Sequence, residues 1–184
     1  MSKYYLTASL LNSWLSGYDS FYDMLYRRDR EPTQQMKDGI LFEERAINGE
    51  IEDLKPYIDG ALYQAFVCKE CEGYMLLGFC DLINKDTIYD LKFVSNYEIG
   101  KYNNSVQHLI YLYCTDMEKF EYIIGQGKKE LELYFEKQPR DDKRLRAIIK
   151  QFISWLNFNN LIEVYQQNYS VERYREQIEN YLNW

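Results

Sequence analysis

Three charged side chains interrupt two otherwise apolar runs near the middle of the chain. Asp81 lies in the run LGFCDLI, and Asp90 and Lys92 lie in the run IYDLKFV. Both alternating faces of these runs are apolar, which is typical of strands in the interior of a covered sheet. A charged side chain at such a position is costly unless an opposite charge accompanies it. These three residues are therefore the first candidates for a chemical site.

The spacing of the two runs predicts which of these residues meet. A two-residue turn at Lys85 and Asp86 would form an antiparallel hairpin and place Asp81 directly opposite Asp90. Like charges at opposed positions are destabilising, and a divalent cation between them is the simplest compensation. Mg²⁺ and Mn²⁺ are the natural candidates because they prefer oxygen ligands. Lys92 would point to the same side as Asp90, beside the cation.

A helix predicted from about Gln34 to Asn48 supplies a third acid. Glu43 belongs to a helical stripe that is expected to face the sheet, whereas Glu44 points about 100° away and is expected to be solvated. We expect Gly39 to allow close backbone approach just before this acid. The apolar members of the stripe lie at helical spacing from Glu43 and are Met36, Ile40 and Ile47.

A later helix, predicted from about Asn103 to Met117, carries two polar side chains four residues apart. Gln107 and Tyr111 therefore share one helical face. Two interpretations of this pair remain open. The side chains either support a functional site or serve only in packing.

The rest of the pattern places these candidates in a sheet covered by helices. Period-two runs between Ala61 and Val94 predict three consecutive antiparallel strands, and KFEYIIGQGKKELELYF predicts a hairpin whose turn holds Gly125 and Gly127. The order predicts an α/β or α+β fold with a central mixed sheet of about five strands flanked by helices. Further helices are predicted over Thr7 to Tyr26 with a break at Gly17, over Asp141 to Leu156 and over Val171 to Leu182.

Length and composition limit the classes of protein to consider. The 184 residues include 22 Lys and Arg against 29 Asp and Glu, which gives a net charge of -7, and 46% of residues are hydrophobic. The chain is therefore globular, and a polybasic mode of action is excluded. Neither a membrane-spanning run nor an export signal is apparent, so we expect a cytoplasmic location and no membrane partner.

Histidine and cysteine chemistry is limited by number and position. His108 is the single histidine, which excludes the histidine-rich centres of zinc hydrolases. We expect the four cysteines to be reduced thiols. Their spacing leaves one alternative open, a zinc site in which Cys80 and Cys114 complete the ligands of Cys68-x-x-Cys71.

Four short motifs in a fixed order resemble the PD-(D/E)XK nuclease superfamily. More narrowly, the chain resembles the RecB-like branch, which includes CRISPR-associated and phage-type exonucleases. The resemblance covers about the first 60% of the chain, and its order makes it more specific than any single motif. It implies a restriction-endonuclease-like core. The motifs are Gly39-x-x-Phe42-Glu43, Gly78-x-x-Asp81, Asp90-Leu91-Lys92 and Gln107-x-x-x-Tyr111.

The resemblance implies a Mg²⁺- or Mn²⁺-dependent phosphodiesterase. By position, Glu43, Asp81 and Asp90 would be metal ligands, and the Leu91 carbonyl would be a possible further ligand. Lys92 would orient or deprotonate the attacking water and help to neutralise the phosphate. Such a lysine, partly desolvated beside the site, is expected to have its pKa lowered toward a useful range.

The resemblance also implies a substrate and an organisation. Gln107 and Tyr111 would support the site and contact single- or double-stranded DNA, and the activity would be that of an exodeoxyribonuclease with a link to phage or defence. No iron–sulfur cluster is expected, because every cysteine lies between residues 68 and 114. We interpret residues 1–184 as one nuclease-like domain with a catalytic core at about 34–136 and C-terminal helices at 141–184.

One alternative belongs to a different class of protein. A catalytically inactive protein of the same fold would bind another protein through an acidic surface rich in tyrosine, of which the chain has 19. The sequence leaves exonuclease or endonuclease action, DNA or RNA as substrate, and the oligomeric state open.

Overall fold

The computed structural model describes residues 3–17, 20–127 and 130–175. Its first half contains β1 (Tyr5–Thr7), α1 (Ala8–Leu15), α2 (Ser20–Leu25), α3 (Gln34–Ile47), a 3-10 turn (Glu52–Leu54), α4 (Lys55–Ile58), β2 (Leu62–Cys71) and β3 (Tyr74–Asn84). Its second half contains β4 (Thr87–Val94), α5 (Gln107–Thr115), β5 (Lys119–Gln126), β6 (Glu132–Gln138), α6 (Asp142–Phe158) and α7 (Ile162–Asn168).

Six strands form one mixed sheet. Their order is β1-β3-β4-β5-β6, and β2 also pairs with β3. β1 runs parallel to β3 and β4 runs parallel to β5, whereas the β3–β4 and β5–β6 pairs are antiparallel. The predicted mixed sheet flanked by helices is confirmed. The sixth strand is β1, which the sequence pattern does not predict because three residues are too few to reveal a period of two. The predicted helix begins at Thr7, the last residue of β1.

The contacts of the chain divide it into two compact units. Within the described residues, one unit comprises residues 3–29, 68–78 and 141–175, and the other comprises residues 30–67, 79–127 and 130–140. The interpretation of the chain as one domain stays a prediction. All the candidate site residues belong to the second unit.

Aromatic contacts dominate the core of the first unit. Trp14 of α1 packs against Phe152 of α6 with ring centroids 5.3 Å apart. The Tyr165 hydroxyl of α7 donates a hydrogen bond of 2.8 Å to the Tyr5 carbonyl. Thr7 caps the N-terminus of α1 by accepting a hydrogen bond from the Leu10 N–H. No helix within the described residues combines the length and hydropathy that crossing a bilayer requires.

In the second unit, α3 packs against the sheet through a face that differs from the predicted one. Phe42 and Ala46 are buried, whereas Met36 and Ile40 are 58% and 54% exposed. The buried stripe therefore lies one residue away from the predicted stripe, and Glu43 lies at its half-buried edge. The residues buried with Phe42 in this core are Ala46, Ile51, Leu54, Ile58, Leu82, Leu91 and Ile123.

Strands β2, β3 and β4 lie where the sequence predicts three consecutive strands, and β3 pairs antiparallel with β4 as predicted. The two-residue turn at Lys85 and Asp86 places Ile83 opposite Ile88, as the sequence predicts. α5 begins at Gln107, four residues later than predicted, because residues 101–104 form turns. Asn and Ser residues in this stretch favour turns over helix.

The C-terminal third is more broken than the sequence suggests. The predicted helix over residues 141–156 is present as α6, and α7 follows it where no helix is predicted. Residues 171–175 are helical, and the remainder of the predicted helix to Leu182 lies outside the described residues.

Gly125 lies inside β5 and not in the hairpin turn, where the sequence pattern predicts it. A Cβ atom at this position would lie 2.6 Å from a ring carbon of the buried Phe42. Gly127 does have the positive φ of a turn, 90°. At Gly39, in contrast, an added Cβ atom would meet no other atom within 4 Å, so the predicted close approach at Gly39 is wrong. The close approach between α3 and the sheet occurs at Gly125.

This difference between two glycines gives a stability prediction. Gly125→Ala should lower the free energy of unfolding by about 1–3 kcal/mol, because the added methyl group overlaps the Phe42 ring. Gly39→Ala is the matched control and should raise it by about 1 kcal/mol, because alanine favours helix. Urea unfolding measures both. Equal effects of the two substitutions would contradict the packing described.

Candidate active site

Asp81 and Asp90 form a pair of carboxyl groups beyond the backbone-paired part of β3 and β4. Backbone pairing reaches Leu82 and Tyr89. Beyond these residues, the Leu91 N–H of β4 donates a hydrogen bond of 2.8 Å to the Asp81 carboxylate of β3. Repulsion from Asp90 raises the Asp81 pKa, so the two carboxyl groups influence each other directly. The two acids that the hairpin register predicts to meet therefore share one electrostatic environment.

Burial raises the pKa of both aspartates. For Asp81, burial and then repulsion from Asp90 hold the pKa well above its usual range. Asp90 is fully buried, and its pKa is raised by that burial although attraction from Lys92 opposes the shift. Raised pKa values in two adjacent carboxyl groups indicate that too little positive charge surrounds them.

Lys92 is the nearest positive charge to this pair. Its ammonium lies 2.5 Å from Asp90 Oδ2, and its side chain is 28% exposed. Burial favours the neutral amine, but attraction from Asp90 and Asp81 outweighs burial, so the Lys92 pKa is raised. The expected lowering of this pKa is therefore wrong for the protein without a metal ion. Lys92 acts here as a cation.

Glu43 reaches the same group of charges from α3. Its pKa is raised, first by burial and also by repulsion from Asp90, while attraction from Lys92 lowers it. Asp81 in turn is repelled by Glu43. A glutamate from a helix and two aspartates from strands therefore share one electrostatic environment beside an ammonium group.

Gln107 and Tyr111 of α5 extend this group. Gln107 Nε2 lies 2.5 Å from Asp90 Oδ1, to which it donates a hydrogen bond, and it also donates to the Tyr111 hydroxyl at 3.2 Å. Burial followed by repulsion from Asp90 raises the Tyr111 pKa, so its hydroxyl stays protonated at neutral pH. The helical face predicted for this pair is directed at Asp90.

Two further tyrosines, Tyr102 and Tyr122, pack beside Lys92. The sequence patterns do not identify either of them as a site residue. The Lys92 ammonium lies 6.0 Å from the centroid of the Tyr122 ring. The Tyr102 ring packs on Tyr122 with centroids 4.7 Å apart. Burial raises the Tyr102 pKa to about 12, so its hydroxyl is a neutral donor at physiological pH.

Gln64 of β2 is the site residue that sequence reasoning missed most clearly. Its Nε2 donates a hydrogen bond to Glu43 Oε1 at 2.5 Å. The available signal was its position as the one polar side chain in the run LYQAFVC. Nothing in the sequence pairs it with Glu43, which lies 21 residues away.

The donor chemistry of the site fits a hard divalent cation. Three carboxylates supply oxygen ligands, and the raised pKa values of all three are those of acids short of a counter-charge. Among the residues described, however, no group of three or more His, Cys, Asp or Glu side chains is close enough to hold a metal ion as it stands. The Lys92 ammonium occupies one oxygen of Asp90. Asp90 would therefore have to exchange its ion pair with Lys92 for a role in holding an ion together with Glu43 and Asp81.

The four cysteines, like the three acids, form no group within the described part of the chain that could hold a metal ion as it stands. None of the four forms a disulfide bond. Cys71 and Cys80 are buried, Cys114 is half-buried and Cys68 is exposed. Burial raises the pKa of the Cys80 thiol above its ordinary value, which disfavours the thiolate that zinc requires.

Comparison with solved structures identifies the fold. An alkaline exonuclease from Laribacter hongkongensis is similar at a TM-score of 0.58 and 12% sequence identity, with 95% of this chain and 94% of that chain covered. A phage-related exonuclease from Haemophilus somnus 129PT is similar at a TM-score of 0.55 and 14% identity, with 90% and 95% covered. This chain has the fold of these exonucleases. The Laribacter enzyme has also been crystallised in complex with dAMP.

Comparisons of the amino-acid sequence do not assign the chain to a family. No family model matches the chain, and no curated protein matches it. The likeness to the two exonucleases is therefore one of fold, at sequence identities of 12% and 14%.

Proposed function

We propose that this protein is a Mg²⁺- or Mn²⁺-dependent DNA nuclease that hydrolyses phosphodiester bonds, and that it acts as an exodeoxyribonuclease. The observation that carries the proposal is the shared electrostatic environment of Glu43, Asp81 and Asp90, whose charges act on one another and on Lys92. The fold supports it, because the same fold serves exonucleases of two bacteria. The RecB-like assignment and the cytoplasmic location belong to this proposal as well.

The carboxylates of Glu43, Asp81 and Asp90 would hold the ion, with the Leu91 carbonyl as a further oxygen ligand. When bound, such an ion makes water a better nucleophile at neutral pH and stabilises the negative charge that develops on phosphorus oxygens. The protein contributes the placement of the three oxygens. It also excludes bulk water from Asp90, which is fully buried.

Lys92 has a role separate from that of the acids. Its raised pKa keeps it an ammonium, and its partly exposed side chain can reach a phosphate oxygen. We propose that it orients the attacking water and neutralises the phosphate. Lys92 would make this contact in place of its present ion pair with Asp90.

Gln107 and Tyr111 support the acids and are proposed to contact the nucleic acid. Gln107 fixes Asp90 through one carboxylate oxygen. Tyr111 accepts a hydrogen bond from the same Gln107 amide and is buried, which supports its part in positioning Asp90. DNA as the substrate is supported by the dAMP bound to the Laribacter enzyme, and a phage-linked role by the name of the Haemophilus protein.

Cleavage of end-labelled single- and double-stranded DNA tests the proposed function. We expect degradation with Mg²⁺ or Mn²⁺ and at least about a 100-fold slower reaction in EDTA. Release of mononucleotides from one labelled end would establish exonuclease action, and internal fragments would establish endonuclease action. Absence of cleavage together with absence of Mn²⁺ binding would favour the inactive, protein-binding alternative. That alternative already loses part of its tyrosine-rich surface, because six tyrosines are buried among the residues that the structure describes: Tyr5, Tyr111, Tyr113, Tyr122, Tyr165 and Tyr169.

A further inference from the structure

We propose that Gln64 is a positioning residue for Glu43, held in place by a bulge-like backbone conformation within β2. The inference deepens the proposed function and rests on it, because it assigns a residue that orients the helix-borne metal ligand. Gln64 belongs to none of the four motifs that carry the family resemblance. Its role follows from three observations about this chain.

The first observation is a shared arrangement around the three acids. Each carboxylate accepts a hydrogen bond from a neutral donor on one of its oxygens. For Asp81 the donor is the Leu91 N–H, and for Asp90 it is Gln107. For Glu43 it is Gln64, through Glu43 Oε1. A neutral donor on one oxygen fixes the rotation of a carboxylate and directs its other oxygen, which is how outer contacts orient metal ligands.

The second observation is the backbone of Gln64, which has a φ of 47°. Six non-glycine residues of the described chain have positive φ, and five of them lie in turns. Gln64 is the exception, since it lies inside a strand. A residue other than glycine in this region is strained, and single residues of this kind mark bulges that redirect a side chain, often next to active sites.

The third observation is that the chain does not reverse its direction at Gln64. β2 continues for seven residues beyond Gln64, to Cys71. Glycine would adopt this φ without strain, yet the chain carries a glutamine whose amide ends on Glu43. The contact with Glu43 accounts for both the residue type and the conformation.

The test separates stability from metal binding in one variant. Gln64→Gly removes the amide and relieves the backbone, so the metal-free variant should unfold at the same temperature as the wild type or higher. Its affinity for Mn²⁺, measured by calorimetry, should nevertheless fall by about 10-fold or more. The EPR spectrum of the bound Mn²⁺ should change as well, because Glu43 is no longer held in one orientation. Gln64→Ala should show the same loss of affinity together with lower stability.

Lys85→Gly is the matched control. Lys85 also has a positive φ, 55°, but it lies exposed in the β3–β4 turn, away from the acids. Its replacement should relieve strain and leave the Mn²⁺ affinity and EPR spectrum unchanged. Wild-type affinity in Gln64→Gly would overturn the inference while leaving the proposed function intact. Absence of Mn²⁺ binding by the wild type would instead overturn the proposed function, and the inference with it.

Discussion

Replacing Lys92 by methionine should reduce DNA cleavage by about 100- to 10,000-fold. The substitution keeps the length and apolar stem of the side chain but removes the ammonium that lies 2.5 Å from Asp90. Binding of Mn²⁺ should be retained or tighter, because a positive charge that competes for Asp90 is gone. Cleavage under single-turnover conditions and calorimetry with Mn²⁺ give the two values. Loss of activity without loss of metal binding is the expected signature.

Lys119→Met is the matched control for this prediction. Lys119 forms an ion pair with Asp86 of the same length, 2.5 Å, but both side chains are more than 60% exposed. Exposed pairs of this kind contribute little to stability, so activity should stay within about twofold of wild type. Persistent cleavage by Lys92→Met would remove Lys92 from the mechanism. A parallel loss of Mn²⁺ binding would assign it to the metal site instead.

Replacing Asp81 by asparagine should stabilise the metal-free protein and abolish its response to Mn²⁺. Burial and repulsion from Asp90 raise the Asp81 pKa in the folded state. Stability associated with this group is thus complete below its unfolded pKa, about 3.9, and is lost as pH rises through the folded pKa. Asparagine is neutral and can still accept the Leu91 hydrogen bond. The variant should therefore be more stable than the wild type at neutral pH.

Thermal unfolding as a function of pH measures this effect. Variant and wild type should coincide near about pH 3, and the variant should become increasingly more stable as pH rises. Mn²⁺ should raise the melting temperature of the wild type alone. Asp86→Asn is the control. The hydrogen bond with Lys119 lowers the Asp86 pKa, so this substitution should slightly lower the stability at neutral pH instead of raising it. A variant that is less stable than wild type at neutral pH would contradict the buried, repelling pair.

The central strands and the hairpin register were predictable because burial on both faces leaves a strong pattern. The two-residue turn then determines that Asp81 meets Asp90, and in the structure repulsion from Asp90 raises the Asp81 pKa. β1 and α7 were not predictable in this way. β1 has three residues and α7 has seven, which is too few for a hydrophobic period to be recognised. The positions of both elements depend on contacts with distant parts of the chain.

The face of α3 shows how a correct residue can follow from an inexact pattern. Met36 and Ile40 suggest a buried stripe, but both are exposed and Phe42 is buried instead. Neighbouring faces of a helix differ by about 100°, so an error of one residue still leaves Glu43 near the sheet. The choice between the faces depends on Gly125, whose missing side chain makes room for Phe42.

Gln64 and the charge state of Lys92 lay beyond sequence reasoning for physical reasons. A positive φ inside a strand results from tertiary contacts and leaves no local pattern. The Lys92 pKa depends on a balance between burial and attraction by two aspartates, and general expectation for a buried lysine gave the wrong direction.

Calorimetric titration of the wild-type protein with Mn²⁺ at several pH values tests the central claim most directly. If Glu43, Asp81 and Asp90 hold one ion, their raised pKa values require that binding displace protons. The account predicts saturable binding that tightens as pH rises and releases protons, and that is absent from the Asp81→Asn, Asp90→Asn double variant. Binding that is independent of pH, or equal in the double variant, would contradict it.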